Sequence, residues 1–89
     1  MYYSKDDDMV VGIRSVLRDY VSTPYEYAMK YVRKHIYEEL EIIYGSAMKE
    51  CIVDVTPNKA HTELCINIVS PSQKLYRFDL GCQANENTI

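Results

Sequence analysis

Apolar residues recur along this chain in two rhythms, and the change between them divides it roughly in half. From Met9 to Val21, the positions Met9, Ile13, Val16, Leu17 and Tyr20 repeat at three- and four-residue steps, which predicts a first helix. A second helix is predicted from Pro24 to Tyr44, about 30 Å long at the standard rise. Its apolar stripe is Tyr25, Met29, Val32, Ile36, Leu40 and Ile43. From Cys51 the period falls to two. Cys51 to Val55, Thr62 to Val69 and Lys74 to Leu80 alternate as strands, separated by the turns Thr56–Lys59 and Ser70–Gln73. In the second strand Leu64, Ile66 and Ile68 face one way; in the third, Tyr76, Phe78 and Leu80 do.

The predicted fold class is therefore α+β, with element order α-α-β-β-β in a single small domain over residues 1–89. The short turns make the sheet an antiparallel three-stranded meander, and the long second helix should lie across its apolar face. Residues 1–8 and Gln83 onward carry no periodicity and are expected to be flexible ends.

Local chemistry punctuates these elements. Asp6, Asp7 and Asp8 precede the first helix, where carboxylates suit the positive end of the helix dipole. Thr23, Pro24 and Glu26 have the spacing of an N-cap, a first helical proline and a capping-box acid. Gly45 follows the second helix as a left-handed C-cap.

Composition narrows the functional classes. Eighty-nine residues with a net charge of −3 and a pI near 5.3 leave little room for a general grip on phosphates. No stretch approaches the roughly 20 apolar residues that span a bilayer. The first residues have no apolar signal region, so a cytoplasmic protein without membrane attachment is expected. Three cysteines, Cys51, Cys65 and Cys82, form an odd set without a CxxC spacing and read as reduced structural thiols.

No nucleophile–base–orienter set is evident. His35 falls mid-helix beside a core position, and His61 falls at a hairpin exit. Asp54, His61, Glu63 and Cys65 lie on adjoining strands, and Asp54, Glu63 and Cys65 could share the outward face; this is a weak metal constellation that leaves a small enzyme or metal protein as a third alternative to a solvated polar face. Gly12, Gly45 and Gly81 are isolated, so no phosphate-cradling loop is present. The expectation is a non-enzymatic chain without cofactor or metal.

The second helix carries what stability leaves unexplained. Nine tyrosines occur with one Phe and no Trp, and Tyr27, Tyr31 and Tyr37 lie off the apolar stripe. Lys30, Arg33 and Lys34 precede Glu38, Glu39 and Glu41, the reverse of what the macrodipole favours. Lys34–Glu38 and Tyr37–Glu41 have the i,i+4 spacing that offers partial relief. Tyrosine is enriched at interfaces, so Tyr27, Tyr31, Tyr37, Lys30, Arg33, Lys34, Glu38 and Glu41 form the candidate partner-binding set. The expected function is a small regulatory, inhibitor or accessory module that binds a protein, a phage-encoded one included. A homodimer through the second helix or a sheet edge would fit the same features. The alternative is nucleic-acid binding through Arg14, Arg18, Lys30, Arg33 and Lys34.

The sequence Val53-Asp54-Val55-Thr56-Pro57 after a long helix, followed by alternating strands, resembles the C-terminal half of the phage baseplate-wedge family. The likeness covers about half the chain and implies, as a further alternative, a phage structural component. The family's acidic-Pro-Arg segment between helix and strand is replaced here by Gly45-Ser46-Ala47-Met48, so no functional residue is carried across.

Overall fold

A computed structural model describes residues 5–82 and bears out the predicted order. Helices α1 (Lys5–Arg18) and α2 (Tyr25–Tyr44) are followed by a short 3-10 helix (Gly45–Glu50). Three strands follow: β1 (Ile52–Pro57), β2 (Glu63–Val69) and β3 (Leu75–Gly81). They form one antiparallel sheet in the order β1-β2-β3. The expected end at Gln83 onward and the residues before Lys5 lie outside the described region.

The alternation of the strands maps directly onto burial. Val53, Val55, Leu64, Ile66, Ile68, Phe78 and Leu80 are buried beneath the helices, together with Met9, Ile13 and Leu17 of α1. Helix α2 runs the length of the sheet. At its start the Tyr25 ring stacks on His61, beyond the end of β1, with centroids 4.7 Å apart and planes 1° from parallel. At its end Tyr44 meets the β2–β3 turn through a shared hydrogen-bond partner, Asp6.

Register also fixes which backbone groups are unpaired. The Ser70 N–H donates to the Lys74 carbonyl at 2.9 Å, and the Cys82 N–H to the Thr62 carbonyl at 2.8 Å. Hydrogen-bonded pairs alternate in an antiparallel ladder, so Tyr76, Phe78 and Leu80 bond back to β2. Leu75, Arg77, Asp79 and Gly81 therefore turn their amides and carbonyls to the open edge. In the β1–β2 ladder the Asn58 N–H donates to the Glu63 carbonyl at 3.0 Å, so the nitrogen of Pro57 faces the open edge of β1. There the missing N–H disrupts no ladder and blunts that edge.

Several boundaries differ from the sequence reading. Helix α1 begins at Lys5 rather than Met9, so Asp6, Asp7 and Asp8 form its first turn instead of a flexible lead. It ends at Arg18, and residues 19–22 make a turn in which Ser22 takes a positive φ of 71°. Thr23 does not cap α2. Pro24 holds the N-cap position with ψ at 142°, so the helix starts one residue later and Thr23 falls out of reach. The buried face of α2 is Tyr25, Ala28, Val32, Ile36, Leu40 and Tyr44, with Met29 and Ile43 only half-buried. Its four-residue steps advance about 40° each, so the stripe winds round the helix in place of the straight one expected. Gly45 is the C-cap and takes a positive φ, 61°, but its ψ of −133° lies outside the left-handed helical region expected; its N–H donates to the Glu41 carbonyl.

Candidate functional site

The partner-binding set does not form one surface. Tyr27 is 54% exposed, and its ring lies 4.6 Å from that of Tyr31 and 6.3 Å from that of Tyr20. The Lys30 ammonium sits 5.5 Å from the Tyr31 ring centroid, within cation–π range. Tyr37 shares none of these ring contacts. Six residues beyond Tyr31, it stands about 120° round the helix. It is half-buried against the edge of the core.

The charges are dispersed as well. Arg33, Lys34, Glu38 and Glu41 are exposed, and neither the Lys34–Glu38 ion pair nor a Tyr37–Glu41 hydrogen bond forms. Ordering two long solvated side chains costs about as much as such a pair returns. Among the described residues, the ion pair is Arg77–Asp79, at 4.0 Å on the outer sheet face.

A different stripe does converge. Tyr27, Tyr31, His35, Glu38 and Ile42 follow one another on α2 at helical spacing. Ile42 is 77% exposed, the most exposed large apolar residue described. Tyr20, just beyond α1, tilts over His35 with centroids 5.5 Å apart, and its hydroxyl hydrogen-bonds His35 Nδ1. Burial first, then neighbouring Tyr27, push the Tyr20 phenol above its ordinary pKa. Beside this stripe runs a shallow cleft of about 240 Å³, where Val16 and Asp19 meet His35, Glu38, Glu39 and Ile42. Sequence reading missed Ile42, Tyr20 and His35 as members. The missed signal was that His35 and Ile42 repeat at helical spacing with Tyr27 and Tyr31; Tyr20 reaches them from beyond the end of α1, through packing that no local spacing encodes.

The basic residues offered for nucleic acid divide between two places. Arg14 and Arg18 line a groove against β3. Lys30, Arg33 and Lys34 lie on α2, which meets α1 on another side, where a Cβ at Gly12 would collide with the Glu39 carboxylate.

The acidic run also has a role beyond the helix dipole. Asp6 is only 7% exposed. It accepts from Tyr44 at 2.6 Å, Ser72 at 2.8 Å, and Ser70 and Tyr76 at 3.0 Å. Burial opposes ionisation, but the four hydroxyls outweigh it and hold this carboxyl below its usual range. Burial and the bond to Asp6 raise the phenols of Tyr44 and Tyr76. This cluster ties the start of α1 to the end of α2 and to the β2–β3 turn.

Other candidate chemistry is not assembled. Among the described residues no three His, Cys, Asp or Glu side chains are placed to hold a metal; Asp54 stands opposite Asn67, and Cys65 opposite Thr56 and Asp79. The three thiols are free and half-buried, and burial raises those of Cys51 and Cys82, which lowers their thiolate fraction. The outer sheet face is not wholly polar: Ile52, Val69 and Leu75 lie in register across it. No described helix is long and apolar enough to cross a membrane. No protein-family model, curated protein or solved structure matches this chain.

Proposed function

We propose that this protein is a protein-binding module whose contact face is the α2 stripe from Tyr27 to Ile42. The observation that carries the reading is the exposure of two large apolar side chains, Tyr27 at 54% and Ile42 at 77%, at the two ends of one helical stripe. Between them lie Tyr31, His35 and Glu38, a mixture of rigid aromatic area and polar groups that suits an interface core and rim. The stripe spans 16 residues, about 22 Å of helix, enough to meet a partner helix or groove. A regulatory or accessory role, including self-association through this face, follows from the same features.

The test pairs light scattering with affinity capture, using the intact protein and a Tyr27→Ala/Ile42→Ala variant. Both side chains are exposed, so the variant should fold within about 0.5 kcal/mol of the parent. The parent should enrich one protein near equal stoichiometry, or form a dimer, and the variant should lose that species. A monomeric parent that captures the same proteins as the variant would contradict the reading.

A further inference from the structure

The groove between α1 and β3 has walls of two different kinds. It measures about 480 Å³ and is flanked by Arg14, Arg18 and Val21 on one side and Arg77, Asp79 and Gly81 on the other. Val21 is 57% exposed. On the β3 wall, the amides and carbonyls of Arg77, Asp79 and Gly81 face outward, by the alternation of the β2–β3 ladder. Unlike β1, this edge carries no proline. Three arginines line the groove against one aspartate, and Asp79 is already 4.0 Å from Arg77. Arg14 and Arg18 have no acidic partner within 4.0 Å among the described residues.

From this juxtaposition we infer that β3 is a docking edge for an extended acidic segment of another protein, added as a fourth strand beside α1. The backbone edge supplies the ladder, and Arg14 and Arg18 select carboxylates along the segment. A second copy of this chain is a poorer occupant, because two β3 edges paired together would gather six arginines against two aspartates. A nucleic acid would satisfy the arginines but leave the backbone edge unpaired. The inference stands apart from the α2 stripe, which lies on the other side of α1, and neither Tyr27 nor Ile42 enters it.

The probe is a fluorescently labelled eight-residue peptide alternating glutamate and valine, titrated against the full chain by anisotropy. Saturable binding is expected, weakening as ionic strength rises. Arg14→Glu/Arg18→Glu should weaken it by about tenfold or more. Asp79→Pro should abolish it, since it removes an outward N–H without breaking the β2 ladder, whereas Asp79→Ala should keep or tighten it by removing a competing acid. In the parent, hydrogen exchange at Leu75, Arg77, Asp79 and Gly81 should slow on adding peptide, a readout that needs no variant to fold. No binding, unchanged binding in the charge-reversed variant, or no slowing of exchange at those amides would overturn the inference. So would displacement of the peptide by a single-stranded oligonucleotide together with retained binding in Asp79→Pro, which would assign the groove to phosphates.

Discussion

Replacing Asp6 with Ala should destabilise the protein far more than its place in a helical first turn would suggest. The carboxylate accepts from four hydroxyls, but they do not all suffer equally from its loss. Ser72 is exposed and Tyr76 half-buried, so both can turn to water. Ser70 keeps Ser72 at 2.8 Å. Tyr44, 8% exposed, has no second hydrogen-bond partner and would be left with an unsatisfied buried hydroxyl. Orphaning one such group costs about 1–3 kcal/mol, and losing charge-assisted bonds to the others adds to it. Relief of the carboxylate's own desolvation offsets part, which leaves about 2–4 kcal/mol. That is a large share of the roughly 4–13 kcal/mol expected for a domain of this length. Urea unfolding followed by circular dichroism measures it.

Tyr44→Phe should cost about 1–2 kcal/mol in the parent but nothing, or a gain, when Asp6 is already Ala. Because Asp6 is held below its usual pKa, its stabilisation is complete above about pH 4, the unfolded value. It is lost as pH falls through the lower folded value, and Asp6→Ala should remove that part of the acid slope. Additive costs for the two substitutions, or an unchanged acid limb in Asp6→Ala, would refute the account of this cluster.

The other expectations concern the core, the helix contact and the thiols. Ile36→Ala or Leu40→Ala, both at 0% exposed sites, should cost about 2–5 kcal/mol in the same unfolding assay. A change under about 0.5 kcal/mol would mean that the buried face is misplaced. Gly12→Ala should shift stability by less than about 1 kcal/mol, since the helix-propensity gain opposes the displacement of the flexible Glu39 side chain. Cys51 and Cys82 should alkylate with iodoacetamide more slowly than free cysteine at pH 8, because burial raises their thiol pKa values.

What could be read from the residues is what short-range periodicity encodes. Alternation at Leu64, Ile66 and Ile68 fixed the inner sheet face, and the turn residues placed the strands to within about two positions. Long-range chemistry was not legible. The hydroxyls on Asp6 come from residues 38 to 70 positions away, so nothing beside Asp6 distinguishes it from Asp7 or Asp8. The tyrosine excess pointed to α2, but the grouping it suggested is not one that the helix brings together. Counting Tyr37 with Tyr27 and Tyr31 ignored its angle round α2, and the same angle brings Ile42 into their stripe. The division of the basic residues was hidden for a related reason: which side of α1 faces α2, and which faces β3, is set by packing between elements. The β3 edge became visible only once strand order and hydrogen-bond register were known.

Site-specific photocrosslinking tests the proposed contact face most directly. A photoreactive phenylalanine analogue placed singly at position 27, 42 or, as a control on the β1–β2 hairpin, 59 would be irradiated in the cells that produce the protein. The account predicts one discrete protein adduct shared by positions 27 and 42 and absent from position 59. No adduct at 27 and 42, or the same adducts at all three positions, would contradict it.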